Sequence, residues 1–253
     1  MLVVLLGSGT SHGVPVIGCG CRVCTSPNPK NNRTRSSIFV KNEEASLLID
    51  TSTDFRSQAL REGIDHVDAV FYTHTHADHL HGIDDLRQLS RKAPIPVYAS
   101  SGNLSEIESR FPYVFRESLY PDSKPRISPI AFHDTPIAVG DLEVQPVPVL
   151  HGSLPIFGFR IGEFAYLTDC SSIPEESYRL LEGVQTLVID ALRHAPHPTH
   201  FTVREAIAEG KRIGARDILL THICHDLEHE ELERELPEGV HPAYDGLKIV
   251  VND

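Results

Sequence analysis

The run His74-Thr75-His76-Ala77-Asp78-His79 follows the apolar stretch Ala69-Val70-Phe71-Tyr72 and packs three imidazoles and a carboxylate into six residues. Histidine offers neutral nitrogen, and aspartate offers charged oxygen that can hold or bridge a second cation. A strand over 69–73 would point His74 and His76, two residues apart, to the same side. Asp78 and His79 would then open a helix and turn toward a neighbouring position. Three imidazoles and this carboxylate after a buried strand read as a hydrolytic metal site rather than a chance His-rich loop.

Further candidates share one setting. His151 follows Val147-Pro148-Val149-Leu150, Asp169 follows Phe164-Ala165-Tyr166-Leu167-Thr168, and His222 follows Ile218-Leu219-Leu220-Thr221. Each is a polar residue just past a short apolar run, where ligand sites of layered α/β proteins gather.

With these residues in place, the chain resembles the metallo-β-lactamase-fold hydrolases over essentially its whole length. The His-x-His-x-Asp-His signature stands as His74, His76, Asp78 and His79, followed in order by His151, Asp169 and His222. The resemblance implies an α/β fold, a four-layered α-β-β-α sandwich, with the site along one edge. It also implies that His74, His76 and His151 hold one divalent metal, that Asp78, His79 and His222 hold a second, and that Asp169 bridges them. The tRNA 3′-processing endonucleases share this signature but carry a long clamping arm between the third and fourth ligand segments. Only 17 residues separate His151 from Asp169 here, which argues against transfer RNA as substrate.

A second cluster is Cys19-Gly20-Cys21-Arg22-Val23-Cys24, three of the five cysteines in six residues. Neighbouring cysteines pair badly as disulfides, whereas three close thiolates match a structural zinc site that needs a fourth ligand. His225 is the favoured fourth ligand, with Cys224 beside it. Within the superfamily this trio resembles a narrower group, the phosphoribosyl cyclic phosphate phosphodiesterases of the carbon–phosphorus lyase pathway and a pyrroloquinoline quinone biosynthesis protein. Gly13-Val14-Pro15 is also similar to the phosphodiesterases.

Composition sets outer bounds. At 253 residues and 40% apolar content, one domain spanning 1–253 can bury a core without staples. Leu2-Val3-Val4-Leu5-Leu6 is short, lacks a basic leader and runs into Gly7, so it reads as a first strand rather than a signal peptide or membrane span. A cytoplasmic address without membrane association is expected. The formal charge of −12 disfavours nucleic acid, because phosphate contacts supply most of such affinity. The one compact basic patch, Lys30 to Arg35, is either a solvated loop or a pair of arginines, Arg33 and Arg35, that meets a small anion near the metals. A homodimer is compatible with this composition.

Strands are expected at 2–6, 37–41, 46–50, 69–73, 95–99, 143–150, 156–161, 164–168, 186–190, 217–221 and 247–251. Helices are expected near 53–62, 79–91, 102–110, 174–182, 202–213 and 227–235. Thr202 and Glu205 would start the helix at 202 as a capping box. Pro121 to Pro136 reads as an irregular surface loop.

His200 sits just before that helix. An imidazole titrates near neutrality and can protonate a leaving alkoxide. In the resembled phosphodiesterases a histidine at the matching place has that role, with His197 as its competitor here. The catalytic residues expected are therefore His200 and the ligand Asp78. Asp50, ending Leu47-Leu48-Ile49, is either a partner behind a ligand imidazole or the start of a turn. His12 in the first loop stands as a further neighbour.

The leading expectation is a phosphodiesterase that hydrolyses a small phosphate ester, with a cyclic one preferred. It would use two divalent catalytic metal ions, zinc or manganese, and one structural zinc. The alternatives are a pyrroloquinoline quinone biosynthesis-like metalloenzyme and a non-catalytic binding relative.

Overall fold

Successive side chains of a strand point to opposite faces, and β1 (Leu2–Gly7) sorts its residues accordingly. Val3 and Leu5 enter one core, while Val4 and Leu6 enter another. The computed structural model describes residues 1–117, 119–120 and 123–251. In it β1 joins β2 (Ser37–Lys41), β3 (Ser46–Ile49), β4 (Ala69–Phe71), β5 (Ile95–Ala99), β6 (Ile127–Ala131) and the late strand β14 (Lys248–Val250). Their order is β14-β1-β2-β3-β4-β5-β6. A second sheet holds β7 (Ile137–Val139), β8 (Leu142–His151), β9 (Leu154–Ile161), β10 (Phe164–Leu167), β11 (Thr186–Asp190), β12 (Asp217–Thr221) and β13 (Val240–Pro242). It runs β13-β12-β11-β10-β9-β8-β7.

Each sheet is half parallel and half antiparallel. The pairs β3–β4 and β4–β5 are parallel, as are β10–β11 and β11–β12. The carboxyl ends of these parallel strands therefore lie along common edges, where open α/β sheets place their ligands. Val3, Ile49 and Phe71 of the first sheet share a core with Phe159, Tyr166 and Val188 of the second, so the sheets face each other. Outside the first sheet pack α1 (Phe55–Glu62), α2 (Ala77–Leu80), α3 (Leu86–Leu89) and α4 (Ser101–Arg110), through Phe55, Leu80, Leu86 and Ile107. After α4 comes the short α5 (Pro112–Phe115). Outside the second sheet lie α6 (Val203–Ile213) and α7 (His229–Glu235), through Val203, Ala206 and Leu232. This is the four-layered α-β-β-α sandwich. Among the described residues no helix is long and apolar enough to cross a membrane.

Several local expectations need correction. The helix expected over 79–91 is broken into α2, a 3-10 turn over His81–Asp85 and α3. Gly82 explains the break: a Cβ there would lie 2.1 Å from the Ser52 carbonyl oxygen, so the chain is drawn against the 51–55 corner. The segment expected as a helix at 174–182 is a 3-10 helix over Glu175–Leu181. Within the stretch expected to be irregular, Ile127–Ala131 is β6, while its first residue, Pro121, lies outside the described residues. Pro129 hid this strand, and β6 tolerates it because it is the last strand of its sheet. The short edge strands β7 and β13 were also not legible. The capping box forms as expected, Glu205 N donating to Thr202 Oγ1 at 3.2 Å and Thr202 N to Glu205 Oε2 at 2.8 Å.

Candidate metal centre

The candidate residues converge on the edge where the parallel strands end. β4 stops at Phe71, so His74 and His76 are not alternate strand residues but lie in the loop leading to α2. Their convergence is imposed by α4: Thr75 Oγ1 donates to Glu106, and Arg110 donates to the Thr75 carbonyl oxygen. The rings of His74 and His76 stand 4.5 Å apart, and His151, the last residue of β8, brings its ring within 5.1 Å of His76. These three form one group with ligand atoms within 4.8 Å of each other; Asp78, His79, Asp169 and His222 form another. Asp169 joins them. Its Oδ1 is 3.1 Å from His79 Nε2, its Oδ2 is 3.2 Å from His222 Nε2, and it also groups with His151 and His200.

Three corners at this edge are strained. Asp50, Asp169 and His222 adopt φ of 64°, 56° and 58°. That left-handed region costs a residue with a side chain about 1–3 kcal/mol. Each corner follows a buried strand and turns a polar side chain across the strand end instead of letting it run on into the loop.

Hydrogen bonds then fix which ring nitrogen faces inward. His74 Nδ1 donates to Thr73 Oγ1 at 2.9 Å, which itself donates to Asp50 Oδ2. His79 Nδ1 donates to Asp50 Oδ2 at 2.7 Å, and His151 Nδ1 donates to the Thr199 carbonyl oxygen at 2.8 Å. Outer partners of this kind orient metal-binding imidazoles. Asp50 thus stands behind two histidines and does more than start a turn. The inward Nε2 atoms of His74, His79 and His222 are buried without a hydrogen-bond partner. Buried polar nitrogens left unpaired are costly, and a divalent cation would satisfy all three.

The electrostatics agree. Burial holds the His74 imidazole well below its ordinary value, keeping it a neutral donor. Burial also opposes charge on His79, yet Asp169, Asp78 and Asp50 overcome it and draw a proton there. Burial likewise disfavours the ionised carboxyl of Asp78, but His79 and His222 hold it below the usual range. The acidic groups outweigh burial, which is the balance a cation site requires.

His200 lies beside this cluster, stacked on His222 at 4.6 Å and edge-on to His151 at 4.7 Å. Its Nδ1 donates to Asp190 Oδ2 at 3.1 Å, which turns Nε2 toward the ligands. Burial pushes its imidazole below the ordinary value. His197 is one ring further out, 5.1 Å from His200, and is tied to Thr199. Asp190 escaped the sequence reading, although the signal was present: it ends Leu187-Val188-Ile189 just as Asp50 ends Leu47-Leu48-Ile49.

The thiol cluster assembles with its candidate fourth member. His225 Nδ1 lies 3.3 Å from Cys19 Sγ, 3.5 Å from Cys21 Sγ and 3.6 Å from Cys24 Sγ. Cys224 Sγ instead accepts from Asp226 N at 3.4 Å and stands outside the group. The Cys24 N–H lowers the Cys21 thiol to about 6, ready to ionise, while burial raises Cys24 to about 11.

Neither reading of Arg33 holds. It is 1% exposed, and it donates to the carbonyl oxygens of Cys224 at 3.1 Å and Leu227 at 2.9 Å and to Asn31 Oδ1. A guanidinium suits that work because its five donors serve several carbonyls at once. Arg35 pairs with Asp54 at 3.1 Å and donates to the Ser11 carbonyl oxygen, behind the first loop.

Comparison with known proteins agrees with this architecture. The profile of the Beta-lactamase superfamily domain matches residues 46–223. A crystal structure of a new diphosphatase from the PhnP family superposes with a TM-score of 0.93 at 43% identity, covering 99% of this chain and 98% of that one. An octanoyltransferase of Porphyromonas gingivalis is 42% identical over 256 residues, covering all of this chain; the chain spans only 52% of that relative's length. Coenzyme PQQ synthesis protein B of Methylorubrum populi is 28% identical over 225 residues, 75% of this chain and 72% of that protein. The chain belongs to the β-lactamase superfamily and, within it, to the PhnP family.

Proposed function

We propose that this protein is a dinuclear phosphodiesterase acting on a small phosphate ester, with a cyclic diester such as a phosphoribosyl cyclic phosphate preferred. The observation that carries this reading is the placement of His200, backed by Asp190, beside two adjoining ligand groups that share Asp169. His74, His76 and His151 would hold one ion, Asp78, His79 and His222 the other, with Asp169 between them. The mixed nitrogen and carboxylate set suits zinc or manganese, and the Cys19, Cys21, Cys24 and His225 group suits a structural zinc. Two divalent ions held there would supply Lewis-acid polarisation of the phosphoryl oxygens and a nucleophile at neutral pH.

The chain's own residues do the rest. Asp50 and the Thr199 carbonyl oxygen aim the ligand imidazoles. As the phosphorus–oxygen bond to the departing ester oxygen breaks, His200 Nε2 gives that oxygen its proton, and Asp190 steadies the charged ring through Nδ1. For a cyclic diester the departing oxygen stays on the same molecule and the product is a phosphomonoester. Between His151 and Asp169 the chain holds only β9, β10 and their turns, which supports a small substrate over a clamped transfer RNA.

A second reading is favoured by the 43% identical diphosphatase: cleavage of a phosphoanhydride. Its leaving group is a phosphate, which needs protonation less than an alkoxide does. Assay of the metal-loaded protein on linear diesters, cyclic diesters and diphosphates separates the two. Fastest turnover on cyclic diesters supports the first reading, and turnover confined to diphosphates supports the second. Turnover of none, with two catalytic ions bound, would favour a binding relative or a redox role like that of the pyrroloquinoline quinone protein. Elemental analysis should find three ions per chain.

A further inference from the structure

His200 also lines a cavity of about 310 Å³ that runs from the acid to the thiol-bearing loop. One wall is the first loop, with Ser11 and His12. The other is the segment after β11, with Arg193 and His197, and the floor is Cys224 to Asp226. This lining departs from the rest of the molecule. The chain carries 12 more acidic than basic side chains, yet among the described residues that line the cavity Asp226 is the single carboxylate, beside a guanidinium and several imidazoles.

Arg193 is the informative residue. Its backbone is fixed, because its carbonyl oxygen accepts from Val203 N and the residue bridges to Thr202. Its side chain is not consumed. Nε and one terminal nitrogen donate to the carbonyl oxygens of Ala195 and Pro196, each at a long 3.3 Å, and no carboxylate pairs with it among the described residues. Arg22, Arg35 and Arg212 are held by carboxylates, so their guanidinium groups are occupied, whereas that of Arg193 is open toward the cavity. Arg193 is half-buried, unpaired and three residues past Asp190, on the segment that also aims the acid.

A general acid must touch the departing oxygen, so whatever that oxygen carries lies on the His200 side. We propose that this cavity takes the departing part of the substrate and that Arg193 binds a carboxylate or phosphate on it, so that the enzyme selects esters with an anionic leaving group. This rests on the phosphodiesterase reading above. A planar guanidinium offers a carboxylate or phosphate two parallel donors, and His12 across the cavity can add a third.

The test uses two diesters that differ only in that charge, methyl 4-nitrophenyl phosphate and methyl 3-carboxy-4-nitrophenyl phosphate. The metal-loaded protein should favour the carboxylated diester in kcat/KM by about tenfold, the worth of one hydrogen-bonded charge contact. Arg193→Ala should abolish that ratio, and Arg193→Lys should restore part of it. A second readout needs no turnover. The carboxylated phenol released, 5-hydroxy-2-nitrobenzoate, should bind the protein, and Arg193→Ala should weaken it more than it weakens 4-nitrophenol. Equal losses on both diesters, or unchanged binding of the carboxylated phenol, would overturn the assignment while leaving the phosphodiesterase reading intact. Cleavage of neither diester by the wild type would overturn the leaving-group assignment, and failure on cyclic diesters as well would overturn both readings.

Discussion

At the end of β3, Asp50 closes its hydrogen bonds completely. It accepts from Thr73 N at 2.9 Å, Thr73 Oγ1 at 2.9 Å and His79 Nδ1 at 2.7 Å. At the end of β11, Asp190 is looser. Its Oδ2 accepts from His200 Nδ1 and Phe201 N, each at 3.1 Å, while its Oδ1 lies 3.5 Å from His222 Nδ1 with no hydrogen bond made. Both carboxylates are fully buried. Among imidazoles, the first serves candidate ligands alone, His79 directly and His74 through Thr73. The second is shared between a ligand, His222, and the candidate acid, His200. The half of the site built by the first sheet is therefore a fixed clamp, and in the proposed mechanism the half built by the second would couple metal holding to proton transfer.

The largest effect should come from removing the acid itself. His200→Ala should retain its metals, by elemental analysis, yet slow turnover of a poor leaving group by about 10²–10⁴-fold. The deficit should shrink with nitrophenolate, which departs without a proton. Equal deficits on both leaving groups would mean that His200 positions rather than protonates, and the contrast between the two halves would lose its basis.

Next come the two carboxylates. Loss of an outer partner of a ligand imidazole costs about 10–100-fold in metal affinity or activity. Asp50→Asn should spend that loss on metal affinity, so excess metal should recover most of the rate. Asp190→Asn should weaken the metal held by His222 and also lower kcat at saturating metal, because His200 loses the group that steadies its charge. Full recovery of Asp190→Asn by excess metal would make the two carboxylates equivalent.

How much of this was legible follows from where each signal resides. The ligand set is a local signature laid on strand ends, and strand ends announce themselves by apolar runs. The layering could be anticipated because alternation such as Val3, Val4, Leu5 and Leu6 feeds two cores at once. Asp190 was missed because one aspartate after an apolar run is common, and only the fold shows that it faces His200. Arg33 could not be read at all: its role depends on carbonyl oxygens nearly two hundred positions away, with Cys224 at a separation of 191. Long-range burial of a charge leaves no mark in local composition.

The second half also leans on the thiol cluster, which holds Cys19–Cys24 against His225, three residues past His222. If zinc closes that group, Cys21→Ser should lower the melting temperature and weaken the metal at His222 several-fold, since structural zinc contributes folding free energy directly. His225→Ala should do the same. Cys224→Ser should not, because its sulfur lies outside the group. The ion held by His74, His76 and His151, on the loop braced by Glu106 and Arg110, should stay bound in all three variants. Zinc loss from Cys224→Ser with a silent His225→Ala would exchange the two residues' roles.

The smallest effect concerns the support beneath the same segment. His229 is 2% exposed, its Nδ1 has no hydrogen-bond partner, and its backbone N–H donates to Asn31 Oδ1 at 2.9 Å. Burial, with Lys30 and Arg33 nearby, lowers its imidazole to about 4. The native state therefore prefers it neutral. Unfolding releases a histidine that titrates near 6.5, so stability is complete above that value and falls as pH drops toward about 4. His229→Gln removes the titration. The melting temperature of the wild type minus that of His229→Gln should fall by a few degrees between pH 6.5 and 4, at about 2–4 °C per kcal/mol for a chain of this size. Any acid loss of a bound metal would affect both proteins and cancel in the difference. A difference that stays flat across this window would show that His229 titrates alike in the native and unfolded states, and that the native fold accommodates its charged form.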